Sequence, residues 1–156
     1  MNDQRAQFDA LTKVLKDIYE ERIPFNRVFG LRMLSLDPSS IRVRFNMRDE
    51  LIGNYVKGIL HGGVISATLD ATGGLIASMD LLKKLAGRPL EEVEERMSRV
   101  GTIDLRIDFL RPGVGQYFVA SGDVMRAGRR VTVTRMELRN DEEVLIAVGT
   151  GTYLVG

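Results

Sequence analysis

The chain has 156 residues, 44% of them hydrophobic and 28% charged, which is enough for one domain with a hydrophobic core. Its 22 basic and 21 acidic residues leave a formal net charge of +1, which argues against a nucleic-acid-binding protein and against a polybasic membrane tether. The lack of cysteine excludes disulfides, thiolate nucleophiles and cysteine-bound metals, and a single histidine, His61, excludes a histidine-rich metal site. Small molecules or other copies of the chain are the expected partners, and we expect no metal.

The N-terminal residues 1–15 are polar and mixed in charge, unlike a signal peptide. Asp70 and Asp80 interrupt the most apolar stretch, so no membrane span is predicted. These features predict a cytoplasmic protein. Because no repeat, linker or low-complexity segment is present, residues 1–156 are expected to form one domain, with residues 1–24 as an N-terminal helical extension.

The first predicted element is an amphipathic helix over residues 9–22. Leu11, Val14, Leu15 and Ile18 recur at helical spacing, and Pro24 marks the end of the pattern. The polar face mixes lysine with aspartate and glutamate. We therefore expect this helix to pack on the domain or on a partner chain rather than on a membrane surface.

Strands are predicted on both sides of a long central helix. Residues 31–37 and 41–47 alternate as a β-hairpin with one solvated face, and a loop over residues 48–60 leads into the helix. A short charged helix over residues 90–99 follows it. Four further strands are predicted at residues 102–110, 116–125, 130–139 and 144–154, joined by turns short enough for an antiparallel meander. The order predicts an α+β fold in which an antiparallel sheet wraps around one buried helix.

The central helix, predicted over residues 64–82, is apolar on nearly every face and carries one carboxylate in its middle, Asp70. Burial of a lone carboxylate costs several kcal/mol unless hydrogen bonds compensate it. No lysine or arginine lies within a helical turn of Asp70. Its partners must come from elsewhere in the fold, or the group is kept reactive; a structural aspartate bonded to Thr68 or to nearby backbone is the alternative.

Residues 54–74, NYVKGILHGGVISATLDATGG, resemble the signature of hotdog-fold acyl-CoA thioesterases of the PaaI-like (phenylacetic acid degradation) type. In that family an asparagine precedes a His-Gly-Gly turn, and an aspartate follows on the central helix. The later GTIDLRIDFLRPG resembles the family's next strand. The similarity in element order runs from Phe29 to Val155, and it implies the hotdog fold and hydrolysis of a coenzyme A thioester, with coenzyme A as part of the substrate and no separate cofactor.

The resemblance also implies roles for individual residues. Asp70 matches the catalytic carboxylate, acting as nucleophile or as general base on water. Gly62 matches the residue whose backbone N–H polarises the thioester carbonyl, in a turn that His61 and Gly63 complete. Two further residues match polar positions of the family: Asn54, which orients water or the carbonyl, and Thr102, the strand hydroxyl near the aspartate.

Cations are expected near the phosphates of coenzyme A. The hairpin tip MRAGRR matches a family position where a basic residue after a glycine meets the cofactor portion, which points to Arg129 and its neighbour Arg130. Arg111 lies in another loop and is a third candidate. Solvated arginines at a hairpin tip are the alternative.

The spacing of the central helix carries an independent inference about assembly. Gly62 and Asp70 are eight residues apart, so they stand about 12 Å apart along a helix axis. One helix cannot offer both groups to one carbonyl, so a site that uses both must combine two copies of the chain. We predict an obligate dimer with two equivalent sites, and the family resemblance implies dimers or tetramers built of dimers.

Two residues of the proposed site are open to other interpretations. His61 could act in a triad with Asp70 and Ser66, but no G-x-S-x-G elbow is present, so we expect its ring to hold the glycine turn. The alternation of Ile103 with Leu105, Ile107 and Phe109 toward the helix places Thr102 on the opposite face unless the strand start is bulged.

Two alternative functions share this fold. One is a non-catalytic acyl-CoA-binding or regulatory protein, which would have no reason to keep an unpaired carboxylate in a buried helix. The other is a hydratase or dehydratase, whose usual histidine and carboxylate motif fits the His-Gly-Gly turn poorly. Aromatic and aliphatic acyl groups are both compatible with the sequence.

Overall fold

A computed structural model describes residues 2–156, and Met1, the first residue of the predicted extension, lies outside the described part. The helices are α1 (Asn2–Asp17), α2 (Pro24–Val28), α3 (Gly62–Lys84) and α4 (Leu90–Ser98). The strands are β1 (Arg32–Asp37), β2 (Ser40–Asn46), β3 (Ile52–Asn54), β4 (Ile59–Leu60), β5 (Gly101–Phe109), β6 (Tyr117–Ala127), β7 (Val131–Asn140) and β8 (Leu145–Leu154). A π-helical turn, Ile18–Arg22, continues α1, and a 3-10 turn, Asp49–Leu51, precedes β3.

One antiparallel sheet holds six strands in the order β1-β2-β6-β7-β8-β5, and α3 packs against β2, β5, β6, β7 and β8. Thirteen of the 23 residues of α3 are buried, so the helix is buried on several of its own faces. The fully buried side chains contributed by the helix and the sheet include Leu69, Leu75, Met79, Phe45, Phe118, Met136 and Leu138. The predicted α+β fold, a sheet around one long buried helix with an extra N-terminal helix, is confirmed.

The predicted four-strand meander is correct only for β6, β7 and β8. β5 does not pair with β6; it crosses to the other side of the sheet and pairs with β8, while β2 takes the free edge of β6. The chain after β5 instead lies along β4, where the Leu60 N–H donates to the Gly113 carbonyl at 2.9 Å. A short connection permits adjacent pairing but does not require it.

The two N-terminal helices and the segment before α3 differ from the sequence prediction. α1 begins at Asn2 rather than at residue 9, because its first turns are polar and lack the apolar repeat on which that boundary was based. Pro24 starts α2 at the first helical position, where its missing N–H is not needed, instead of closing the helical region. The predicted loop over residues 48–60 contains β3 and β4, which are too short to show a period.

Within residues 2–156, no helix is long and apolar enough to cross a membrane.

Candidate active site

The first turn of α3 presents one free backbone donor. His61 caps the helix: its Nδ1 accepts a hydrogen bond from the Gly63 N–H at 2.8 Å, and its carbonyl accepts from Val64 at 3.0 Å. The N–H of Gly62, the first helical residue, has no acceptor within residues 2–156. Free N–H groups and the positive end of the helix dipole attract negative charge at this position. Gly62 is therefore able to stabilise an oxyanion.

The turn that carries Gly62 packs against β3 and the residue before it. The His61 N–H donates to the Leu51 carbonyl at 2.8 Å. Gly53 lies so close that a Cβ there would come within 2.7 Å of the His61 Cα. His61 is thus packed and hydrogen-bonded through backbone and ring, an arrangement suited to the structural role predicted for it.

A cavity of about 430 Å³ opens beside Gly62 and brings together Asn54, Phe109 and Arg111. The Asn54 Oδ1 accepts from the Lys57 N–H at 3.2 Å, so this side chain holds the β3–β4 turn and keeps its amide N–H₂ available. The Arg111 guanidinium donates to the Leu145 carbonyl at 3.1 Å. Three of the predicted site residues, Asn54, Gly62 and Arg111, therefore line one cavity.

Asp70 lies in the middle of α3, half-buried, and two hydroxyl groups donate to its side chain. The Thr102 Oγ1 is 2.8 Å from the Asp70 Oδ1, and the Tyr153 hydroxyl is 3.3 Å from the same oxygen and 3.1 Å from the Asp70 carbonyl oxygen. The partners of the carboxylate do come from elsewhere in the fold, as its sequence context requires. The sequence reasoning identified Thr102 but missed Tyr153, which is 83 residues away along the chain.

A bulge at the start of β5 explains why Thr102 faces Asp70. The register of β5 against β8 shifts between Thr102 and Asp104, which turns Thr102 to the helix side. The expected alternation is therefore wrong for Ile103, which is 56% exposed. It is correct for Phe109, which is equally exposed but pairs with the buried Ala147 of β8, and whose ring lies 3.4 Å from where a Cβ on Gly62 of α3 would stand.

The two groups of polar residues stay apart within one chain. Gly62 and Asn54 line the cavity at the start of α3, and Asp70 does not reach that cavity. Asp70 instead meets Thr102 and Tyr153, about 12 Å further along the helix. One copy of the chain thus separates the oxyanion donor from the carboxylate.

A third polar region lies at the far end of α3, between α4, the β6–β7 hairpin and the end of β8. It is a cavity of about 720 Å³ that we call the basic pocket. Six cationic side chains line it, against one acidic side chain, Glu92: Lys84, Arg88, Arg96, Arg99, Arg129 and Arg130. Even when a carboxylate at Gly156 is counted, positive charge prevails, and the basic pocket is suited to an anion.

The cations of the basic pocket differ in how they are paired. Lys84 pairs with Asp80 at 2.6 Å, and Arg99 pairs with Glu95. Arg129 and Arg130 make no ion pair within residues 2–156. The structure thus brings two of the three predicted phosphate-binding arginines together and leaves Arg111 at the other end of α3.

The sequence analysis did not identify the cations of α4 as part of the basic pocket, because the pattern of this helix is typical of an exposed charged helix. Arg96 donates to the Val155 carbonyl at 3.2 Å and is held between α4 and the end of β8. Arg88 and Arg99 flank the same helix. Only the packing of α4 beside the hairpin makes them neighbours of Arg129.

Within residues 2–156, no group of three or more histidine, aspartate or glutamate side chains is placed to hold a metal ion.

The family model of the thioesterase superfamily matches residues 57–147, more than half of the chain. The chain belongs to this superfamily. The matched stretch contains Gly62, Asp70 and Thr102 and ends before Tyr153. The start of α3 and the start of β5 therefore lie within the matched stretch, whereas the end of β8 lies outside it.

Named relatives in the thioesterase superfamily align with nearly the whole chain. The medium/long-chain acyl-CoA thioesterase YigI of Salmonella typhimurium is 40% identical over 144 residues, which cover 92% of this chain and 93% of the relative. YigI of Escherichia coli K12 is 39% identical over the same share. A crystal structure from Shewanella oneidensis, described as related to the thioesterase superfamily, is 44% identical with a TM-score of 0.92, covering 96% of this chain and 97% of that one.

These similarities confirm the predicted family, the hotdog architecture and the assignment of the chain as a thioester hydrolase. The individual site residues, the shared site and the oligomeric state stay predictions.

Proposed function

We propose that the chain hydrolyses acyl-CoA thioesters to the free acid and coenzyme A, with medium- and long-chain acyl groups as substrates. The acyl preference is supported by the relatives that are 39–40% identical over most of the chain and are named medium/long-chain acyl-CoA thioesterases. The reaction is supported by a free oxyanion donor at Gly62 and a hydrogen-bonded carboxylate at Asp70. We assign no separate cofactor, and the cytoplasmic location stays a prediction.

The position of β5 is the observation that carries the proposal. Thr102, near its first residue, bonds Asp70, and Phe109, its last residue, lies against Gly62. β5 pairs with β8 on one side, and its other edge has no strand within residues 2–156. An open edge of nine residues with exposed apolar side chains is a template for another strand.

Antiparallel pairing of two copies of β5 about its middle would join the two halves of the site. Such pairing brings the Thr102 end of one copy beside the Phe109 end of the other, because the strand runs in reverse across a two-fold axis. Asp70 of one copy then lies beside Gly62 of the partner subunit. Each dimer has two equivalent sites, and a tetramer is two such dimers.

In this shared site the thioester carbonyl oxygen accepts from the Gly62 N–H of one subunit while Asp70 of the other acts. The Asp70 carboxylate either attacks the carbonyl carbon or takes a proton from a water molecule that attacks it. Negative charge develops on the carbonyl oxygen, where the N–H and the helix dipole stabilise it. The C–S bond then breaks, and the coenzyme A thiolate leaves and takes a proton. If water attacked, the acyl group leaves directly as the free acid. If Asp70 attacked, water first hydrolyses the acyl-enzyme to release the acid. Asn54 is placed to orient the carbonyl or the water.

The phosphates of coenzyme A are assigned to the basic pocket. Arg99 precedes Thr102 by three residues, so the basic pocket opens at the same end of β5 as the carboxylate of that chain. Lys84 follows Asp70 by 14 residues on α3, about 21 Å along the axis. The pantetheine arm would extend along that length of helix. Arg129 and Arg130, which make no ion pair in the described part of the chain, are the first candidates for phosphate contacts.

Thiol release from short, long and aromatic acyl-CoAs tests the reaction. We expect Asp70→Asn to lower hydrolysis to a small residual rate while it retains acyl-CoA binding. Asp80→Asn is the matched control, since it removes a second carboxylate from the same helix, and it should keep full kcat. Binding without hydrolysis by the wild type would instead favour a binding protein, and full activity of Asp70→Asn would make that carboxylate structural.

Sedimentation equilibrium tests the shared site. The active species should have a mass of at least two chains of 17.4 kDa each. An active monomer would contradict the proposal.

A further inference from the structure

Tyr153, in β8, is 1% exposed, and its hydroxyl reaches across to the central helix. Buried hydroxyl groups are almost always hydrogen-bonded. The Tyr153 hydroxyl shares its proton between the Asp70 carbonyl oxygen at 3.1 Å and the Asp70 Oδ1 at 3.3 Å. It therefore contacts both the backbone and the side chain of the same residue.

Two glycines make room for this contact. A Cβ on Gly73 would stand 2.2 Å from the Tyr153 hydroxyl oxygen, and one on Gly151 would stand 2.6 Å from it. A glycine inside a helix costs about 1 kcal/mol relative to alanine. The helix tolerates this at Gly73, where the absence of a side chain lets the hydroxyl approach.

The donors that reach the carboxylate all bind one of its oxygens. Thr102, at 2.8 Å, and Tyr153 donate to Oδ1 of Asp70. Within residues 2–156, no group donates to Oδ2. The Thr102 bond is the shorter one, and the longer Tyr153 contact reaches the same oxygen, so the two together hold Oδ1 in place and leave the other oxygen with its lone pairs unused.

We propose that Tyr153 is a positioning residue which, together with Thr102, anchors Asp70 through Oδ1 and thereby makes Oδ2 the oxygen that reacts. This inference rests on the proposed function, because it names the atom that performs the step. Oδ2 either takes the proton from the attacking water or itself forms the bond to the carbonyl carbon. Tyr153 keeps its proton throughout.

The electrostatics of the site support a permanent donor. Burial and the neighbouring Asp70 charge raise the pKa of Tyr153 well above its usual range. The hydroxyl is therefore protonated across the working range of the enzyme and does not act as a base. Its contribution is geometric.

Tyr153→Phe removes the hydroxyl and keeps the ring. We expect kcat to fall about tenfold with KM unchanged, which is the order expected for one hydrogen bond to a charged group. Tyr19→Phe is the matched control. It removes the hydroxyl of a partly buried tyrosine that lies close to Gly74 and does not bond the carboxylate, and kcat should not change.

Two further measurements separate positioning from structure. In an Asp70→Asn background, Tyr153→Phe should not lower the residual rate further, because its effect passes through the carboxylate. Thr102→Val removes the other hydroxyl, from a side chain that is exposed within one chain; it should also lower kcat at unchanged KM, and it keeps the proposal testable if Tyr153→Phe does not fold.

Unchanged kcat in Tyr153→Phe, or in Thr102→Val, overturns the anchoring of Oδ1. A loss that appears equally in KM, in thermal stability and in Tyr19→Phe makes Tyr153 merely structural and also overturns it. The proposed function fails separately: in that case Asp70→Asn itself hydrolyses acyl-CoA at the wild-type rate, whatever Tyr153→Phe does.

Discussion

Removal of the Gly62 N–H by Gly62→Pro tests the oxyanion donor directly. Proline is favoured at the first helical position, where its missing N–H breaks no helical bond. The residue before a proline must be extended, and His61 already has φ −66° and ψ 134°. A Cβ at position 62 would meet only the Phe109 ring, at 3.4 Å. The substitution therefore deletes one hydrogen-bond donor with little other change.

The loss of one oxyanion donor costs about 10²–10³ in kcat, or about 3–4 kcal/mol in the barrier. We expect this loss in Gly62→Pro, measured as thiol release from a long-chain acyl-CoA, at an unchanged melting temperature. Gly62→Ala is the matched control, because it adds the same Cβ and keeps the N–H, and it should retain kcat close to wild type. A folded Gly62→Pro with wild-type kcat would refute the assignment, and an equal loss in Gly62→Ala would show that bulk is responsible.

Three further outcomes follow from the packing and the charges. Gly73→Ala places a methyl group against Tyr153 and should lower the free energy of unfolding by about 1–3 kcal/mol. In Gly74→Ala the new Cβ would lie 3.3 Å from the nearest tyrosine hydroxyl, so the free energy of unfolding should change by less than about 1 kcal/mol. Equal melting curves for the two variants would contradict this packing. His61→Ala removes the helix cap and should cost about 0.5–2 kcal/mol of stability, with a smaller loss of kcat than removal of the carboxylate, and His61→Asn should restore the cap. Arg129→Gln should raise KM for acyl-CoA about tenfold at unchanged kcat and leave KM for an acyl-pantetheine, which lacks the nucleotide phosphates, as it is; a rise for both substrates would place this arginine elsewhere.

The long elements could be predicted from the sequence because their hydrophobic periods are long. The central helix, predicted over residues 64–82, spans Gly62–Lys84, and the last three strands begin and end within two residues of their predicted bounds. β3, β4 and α2 contain too few residues to show a period. The place of β5 at the sheet edge depends on which strand pairs with the first edge of β6. Loop length alone does not decide whether β2 or β5 takes that position.

Some residues of the candidate site could likewise be predicted from the sequence, and others could not. Gly62 and Asp70 lie in one contiguous motif, so their spacing and their separation on one helix could be read directly from the sequence. The orientation of Thr102 depends on a bulge, which a regular alternation hides. Tyr153 had an indirect signal: Gly73 and Gly74 stand side by side inside a buried helix, where each costs stability, and such glycines indicate a close approach by another chain segment.

Subunit mixing tests the shared site most directly. Asp70→Asn and Gly62→Pro should each be nearly inactive alone. In a hybrid dimer one site receives both substitutions, and the other receives an intact Asp70 and an intact Gly62 from opposite subunits. After random exchange half of the dimers are hybrids, so about a quarter of the wild-type activity should return. No recovery, in a mixture whose exchange is demonstrated by differently tagged subunits, would contradict a site built from two copies of the chain.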